Sequence, residues 1–408
     1  MKSIKEIYKV GPGPSSTHTL AVERACLLYK EHFPKAKSFL VTLFKSLALT
    51  AEGHHTKEIV TTSFKPKNVE IILNQNDWKY PYATALEIVG YDKDGLKLEQ
   101  WDVASIGGGS IKIIGNDFGF EDDVYPHKNF DEIKEYVKDK NISLFDYVME
   151  FESDIKDYMD NIVLQMINTV SSGLKKEGLL PGRLKVCRVA KDLLIKANNL
   201  EDKTERKRLS LIAYAYAASE ENAAGGHCVT APTLGASGVL ASLVYHYYFN
   251  LSYSRSRIIE GLCVAGLFAN VIKENATLAG SEGGCQAEIG SAVAMGGAFI
   301  AYLDNLPING IEYAAEIGIE HHLGLTCDPV GGYVIIPCIE RNAAGVLRCF
   351  DAALLSKSLT EVRKNKITFD SVVEVMNYTG KMIIPELRET SLGGLAKVIV
   401  FDSDDEIK

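Results

Sequence analysis

Apolar and polar residues recur along this chain with two different periods. Between residues 38 and 105 they form short runs rich in branched and aromatic side chains, at 38–44, 69–73, 83–91 and 96–105, and each is predicted to be a strand. Asp92-Lys93-Asp94-Gly95 joins the last two and is a hairpin signal. Ahead of them, a helical pattern follows Gly11 to Thr19 and runs to about Phe33. Beyond residue 144 nearly every segment has apolar residues three and four apart. That spacing predicts helices over 144–175, 184–197, 203–223, 235–250, 256–273, 288–303, 311–321 and 342–357. Many of these are rich in Ala and Gly, which lets helices approach closely. Residues 122–145 are polar and charged and read as a linker with one short helix. The pattern gives an α+β chain: an N-terminal α/β sandwich-like domain over 1–140, then an all-α domain over 141–408.

Composition narrows the class. A length of 408 residues suits two domains, and 46% hydrophobic with 24% charged residues is ordinary for a globular protein. The net charge is −9 and basic residues form no stripe, which argues against nucleic acid as a partner. The opening MKSIKEIYKV has no apolar core of a signal peptide. The apolar run 292–303 is broken by Gly296 and Gly297 and is too short to span a bilayer. Eight cysteines in a chain this long do not resemble a secreted disulfide framework, so a cytoplasmic protein is expected. Cys26, Cys187, Cys263 and Cys349 fall in helical patterns and read as core residues.

Three other cysteines stand in different surroundings: EGGCQAE around Cys285, LTCDPVGG around Cys327 and IPCIERN around Cys338. Each has Gly or Pro within two residues and acidic or amide groups close by. Glycine lets backbone approach a bulky ligand, and thiolate is a soft anionic one. Three thiolates hold three corners of a four-iron cluster, leaving the fourth iron open as a Lewis acid. One cysteine taken alone is more often a small buried hydrophobe. A structural zinc site favours close C-x₂₋₄-C pairs, and the nearest pair here, Cys327 and Cys338, is eleven positions apart.

The words around the cysteines resemble the iron–sulfur-dependent L-serine dehydratases (L-serine ammonia-lyases), whose motifs EGGCQAE, LTCDP and PCIxRN carry three cluster cysteines. The resemblance runs from GPSSTHT near the N-terminus to ETSLGGLA near the C-terminus. It implies a [4Fe-4S] cluster on Cys285, Cys327 and Cys338. It implies a lyase that turns L-serine into pyruvate and ammonia, in amino-acid catabolism and gluconeogenesis, and a homodimer. Domain 1–140 would be similar to the allosteric substrate-binding domain of some phosphoglycerate dehydrogenases, and 141–408 would be the cluster-binding catalytic domain. The tail SDDEIK holds no cysteine to reach that cluster.

The resemblance also places site residues. The GPSSSHT motif puts Ser15, Ser16 and His18 near substrate, although a Ser or Thr before a helix also reads as an N-cap. The GKGHxTD motif places an acid/base histidine at His54, with Glu52 and Lys57 in place of the usual Lys and Asp. An adjacent pair cannot share a helix face, so only one of His54 and His55 is expected in a site. The NAxxGRxVxAPTxGSSG loop puts Asn222, Thr230, Thr233 and Ser237 near polar substrate groups, and ETSLGG does so for Thr390 and Ser391. Taken singly, each also reads as a cap or turn residue. His54 is the first candidate base and His18 the second. His321 is expected to orient the cluster region, and Gln286 and Asn342 to tune the thiolates. Tyr80, His227 and Ala236 depart from the family pattern, at positions usually His, Arg and Ser. They keep threonine, cysteine or a bulkier β-substituted amino acid open as substrate. A non-catalytic iron–sulfur ligand sensor is the rival from another class. Gly107-Gly108-Gly109 lacks a GxGxxG or Walker pattern and reads as a bulge or tight turn.

Overall fold

The computed structural model describes residues 1–116 and 123–398. The expected tail SDDEIK and the first residue of the expected linker lie outside the described residues. Among the described residues seven strands form: β1 (Val10–Pro12), β2 (Ser38–Lys45), β3 (Asn68–Asn74), β4 (Thr84–Tyr91), β5 (Lys97–Ser105), β6 (Ile111–Ile113) and β7 (His227–Val229). Five of them make one sheet in the order β3-β2-β4-β5-β6. β2 and β3 run parallel, which requires a crossover, and the helix Thr56–Phe64 lies in that connection. The other pairs are antiparallel. Phe39, Val41 and Leu43 alternate onto the face that meets Val22, Cys26 and Tyr29 of helix Ala21–His32, so the α/β part has two layers. The glycine triplet makes the tight turn from β5 into β6: all three residues have positive φ, and Ile106 N–H donates to Ser110 O at 3.0 Å.

The rest is helical, as the spacing predicts. Helix Ser291–Leu303 is apolar all round and buried on every side, the expected place for such a pattern. Its glycines let neighbours close in: a Cβ on Gly296 would stand 2.3 Å from Cys349 Sγ, and one on Gly297 would stand 2.8 Å from Ala314 O. Cys26, Cys263 and Cys349 are core residues. Cys187 is not; it is exposed on the bridge between Leu179 and Cys187. Helix therefore starts only at Ala190, after a left-handed Lys185, and the Glu220 carboxylate accepts from Val189 N–H at 2.7 Å. The expected helix over 144–175 is two, Leu144–Phe151 and Ile155–Gly173. Glu152 lies at the break because its buried carboxylate accepts from Ile4 N–H at 2.9 Å.

The two cores do not divide the chain at one point. Met1, Ile4, Ile7 and Tyr8 pack in the helical core, and so do Phe130, Ile133 and Val137 of helix Phe130–Lys140. β1 pairs antiparallel with β7, tying residue 10 to residue 229. Helix Phe369–Met382 closes the helical core with Phe369, Val372, Val373 and Met376. Phe268 is fully buried between Phe130, stacked at 4.5 Å, and Phe369, edge-on at 4.9 Å. Phe268→Ala should lower stability by about 3–5 kcal/mol, because the cavity opens between three helices. Denaturant unfolding followed by circular dichroism checks this, with Leu354→Ala, 64% exposed, expected to change stability by less than about 0.5 kcal/mol.

Candidate active site

The site lies where the α/β part meets the helical part. One buried cavity is lined by Ser15 and His54 from the first, by Cys285, Glu288, Cys327 and Cys338 from the second, and by Glu389. The histidine wall is built by local capping. Ser15 Oγ accepts from His18 N–H at 3.2 Å and so opens the turn that feeds helix Ala21–His32. Ser46 follows the C-terminal end of β2, and its Oγ lies 3.0 Å from His18 Nε2. His54 N–H donates to Thr50 O at 2.9 Å, and His55 takes a left-handed φ of 57° before helix Thr56–Phe64. This turn buries His54 completely and stacks its ring on His18 at 4.2 Å and 27°. Gly53 makes the turn possible, since a Cβ there would stand 2.5 Å from the Gly332 backbone.

Glu389 stands between the two rings, with its Oε1 3.5 Å from His18 Nδ1 and 3.5 Å from His54 Nε2. Its backbone is pinned on both sides. Glu389 N–H donates to Cys327 O at 2.7 Å, and Ser46 Oγ donates to Glu389 O at 2.6 Å. Its φ is 57°, an uncommon conformation for a non-glycine residue.

The opposite wall carries sulfur. Cys285 and Cys327 are buried and Cys338 partly so, at the first residue of helix Cys338–Thr360. One ligand atom from each of Cys285, Glu288 and Cys327 falls within a 4.8 Å set. A Cβ on Gly280 would stand 3.2 Å from Cys327 Sγ, and one on Gly235 would stand 3.1 Å from Glu288 Oε1. Arg341 completes the wall, donating to Thr326 O at 2.7 Å and reaching Asp328 Oδ1 at 3.3 Å.

Charge is distributed unevenly. The Cys327 thiol donates toward Cys285, and with the Arg341 guanidinium it holds Cys285 below the usual thiol range despite burial. That bond to Cys285, together with burial, pushes Cys327 well up; burial does the same to Cys338. Burial, then the Glu389 and Cys285 charges, push Glu288 far above the usual carboxylate range. Burial raises Glu389, but the surrounding charges and hydrogen bonds, the His54 side chain and the Ser281 amide among them, outweigh it and hold that carboxyl below its ordinary value. Burial pushes His18 down to about 3.

Comparison with known proteins meets this geometry along nearly the whole chain. The serine dehydratase alpha chain profile matches residues 42–396, and the serine dehydratase beta chain profile matches residues 3–72. The chain belongs to the serine dehydratase family. It is 33% identical to the L-serine dehydratase of Haemophilus influenzae, over 98% of this chain and 100% of the relative. It is 32% identical to that of Streptomyces coelicolor, over 98% and 99%, and 33% identical to L-serine dehydratase 1 of Escherichia coli, over 97% and 99%.

In this serine dehydratase family member, the residues singled out from sequence fall into three groups. Ser15, His54 and the three cysteines line the cavity, and His18 stacks behind His54. Ser16, Asn222, Thr233 and Ser237 are buried around it. Ser16 Oγ accepts from Leu234 N–H at 2.7 Å, and Asn222 Nδ2 donates to Pro14 O at 2.7 Å, so these two tie the parts together. Among the described residues, Ser237 Oγ and Asn222 Oδ1 have no hydrogen-bond partner. Thr230 is spent on Lys9 N–H, at 2.8 Å. Thr390 and Ser391 turn away: Thr390 Oγ1 donates to Pro385 O at 3.2 Å, and Ser391 Oγ to Pro329 O at 2.9 Å. The Thr390 hydroxyl closes a local turn, the Ser391 hydroxyl ties this segment to the cavity-lining Pro329, and it is Glu389 beside them that enters the cavity.

Three expectations about neighbours change. His321 is exposed at a helix end, with Nδ1 3.1 Å from Ile317 O, so it does not orient the sulfur wall. Gln286 and Asn342 act through backbone: Gln286 Oε1 accepts from Gly324 N–H at 2.9 Å, and Asn342 Nδ2 donates to Gly235 O at 2.7 Å. His227 is exposed on β7, and Tyr80 packs on Trp78 at 5.0 Å; neither lines the cavity. Sequence reading assigned nothing to Arg341 or Glu389. Arg341 follows Cys338 by three positions inside a quoted motif, a signal that was there to be used.

Proposed function

We propose that this chain is an L-serine dehydratase, an ammonia-lyase that converts L-serine to pyruvate and ammonia. The observation that carries the reading is the cavity itself, with the His54 imidazole and the Glu389 carboxylate on one wall and three cysteines on the other. The names of the relatives, L-serine dehydratases, agree with it.

The sulfur wall fits a [4Fe-4S] cluster. Three cysteines share one cavity, glycines at 235 and 280 stand where a Cβ would crowd Glu288 and Cys327, and Arg341 offsets thiolate charge. Cys285, Cys327 and Cys338 would hold it. When bound, such a cluster supplies a Lewis acid for the departing hydroxyl. The chain's own residues do the rest. His54 removes the Cα proton, and the Cα–Cβ double bond forms as the Cβ–O bond breaks. The resulting enamine tautomerises and hydrolyses to pyruvate and ammonia. Ser15 on the cavity wall and Asn222 and Ser237 behind it offer hydrogen bonds to the substrate's amino and carboxylate groups. Burial of the walls keeps bulk water from the reacting carbon.

Homodimerisation, cytoplasmic residence and a role in amino-acid catabolism and gluconeogenesis belong to the same reading and rest on the family resemblance. Among the described residues no helix is long and apolar enough to cross a membrane.

Anaerobic reconstitution with iron and sulfide, followed by pyruvate detection, tests the proposal. L-serine should be turned over with the highest kcat/KM in a panel with L-threonine and L-cysteine. Serine binding without ammonia release would make the protein a sensor instead, and stoichiometric zinc without visible absorption would remove the cluster.

A further inference from the structure

The Ser46 hydroxyl has one proton, and it is given to Glu389 O at 2.6 Å. The 3.0 Å contact between Ser46 Oγ and His18 Nε2 can then form only with the ring as donor. His18 therefore carries its proton on Nε2. Its Nδ1 is a lone pair and accepts from Ser15 Oγ at 3.2 Å. Burial, which pushes His18 down to about 3, keeps that ring neutral. Of the two imidazoles flanking Glu389 Oε1, only His54 has a proton to offer it.

We propose that Glu389 is a positioning residue that holds His54 in its Nε2–H tautomer and leaves the His54 Nδ1 lone pair to take the Cα proton. The chemistry named here rests on the dehydratase reading above; the tautomer does not. Three further observations support it. Both ring nitrogens of His54 are buried without a hydrogen-bond partner among the described residues, and Nε2 is the one that faces the Glu389 carboxylate, at 3.5 Å. The stack on His18 at 4.2 Å fixes the plane of the ring. The left-handed backbone of Glu389, held by Cys327 O and Ser46 Oγ, turns this carboxylate inward while the Thr390 hydroxyl closes a local turn and the Ser391 hydroxyl bonds to Pro329 O. The 3.5 Å separation from His54 is loose, and such contacts tighten once substrate is bound. In the reaction the Cα–H bond breaks and an N–H bond forms at Nδ1. The electron pair becomes the Cα–Cβ double bond, hydroxide leaves Cβ, and the Glu389 charge offsets the imidazolium until its proton joins that hydroxide as water. His18, by contrast, spends both ring nitrogens on serine hydroxyls and acts as the support of the stack.

The experiment has two arms. In the first, ¹⁵N-histidine spectra of the full chain without cofactor report tautomers directly. Wild-type His54 should show the Nε2–H form, and Glu389→Ala should shift it toward a mixture. In the second, reconstituted Glu389→Ala and Glu389→Gln should lose about 10- to 100-fold in kcat with KM within about 2-fold. Added formate should restore about 10-fold of the Ala loss by replacing the carboxylate. Should the Ala variant fail to fold, the near-isosteric Gln variant carries the kinetic arm. A wild-type His54 protonated on Nδ1, or kcat within about 2-fold of wild type in both variants, would overturn the proposal. A wild type that never releases ammonia from L-serine would end the dehydratase reading, and the spectra would still judge Glu389.

Discussion

Cys327→Ala should leave the reconstituted protein without measurable release of ammonia from L-serine. Cys327 is central to the sulfur wall: its Sγ falls in the 4.8 Å set with Cys285 and Glu288. Three thiolates are already one fewer than full cysteine ligation of a four-iron cluster, and removing one leaves two. Bound iron and visible absorbance should fall together with turnover. The fold should survive, because residue 327 holds its neighbours through backbone: its N–H donates to Leu387 O at 2.8 Å, and its carbonyl accepts from Glu389 N–H at 2.7 Å. Loss of one sulfur from the interior costs on the order of 1 kcal/mol. Cys228→Ala is the control, a buried thiol outside the cavity that should keep both iron and activity. Wild-type turnover by the Cys327 variant would remove the cluster from these residues.

His54→Ala should lower kcat by about 10² to 10⁴-fold, the usual effect of losing a positioned base. His54 lines the cavity, whereas His18 stands behind it with both nitrogens engaged. His18→Ala removes the stacking partner and the acceptor of the Ser15 proton, so a smaller loss in kcat is expected. Stopped-flow or coupled pyruvate assays on both variants, with iron content matched, measure the difference. If the His18 variant falls further than the His54 variant, the base is His18.

What could be read from the sequence was whatever depends on near neighbours. The alternating runs gave four strands within one or two residues at their ends, and the apolar spacing gave most of the helical core. Helix Phe369–Met382 carries the same kind of local signal, a Thr368 cap with Phe369, Val372, Val373 and Met376 at helical spacing. Cysteine surroundings pointed to the sulfur wall because glycine, proline and thiol must be adjacent in the chain to make a close loop. What could not be read was pairing over distance. Nothing local links residue 10 to residue 229, or residue 389 to residues 18 and 54. Glu389 looked like any charged residue in a terminal turn, and the hydroxyl-bearing Thr390 and Ser391 drew attention instead. It is the fold, which bridges Cys327 to Arg388 and sets Glu389 against His18 and His54, that turns this one of the three inward.

That bridge also sets when the chain can react. The base arrives with residue 54 and its stacking support with residue 18, sulfur with residues 285 to 338, and the carboxylate that aims the base arrives last in synthesis. A newly made polypeptide is therefore chemically silent until its distant ends have met. Severing the strap at 387–389 should switch the protein off while leaving both hydrophobic interiors standing.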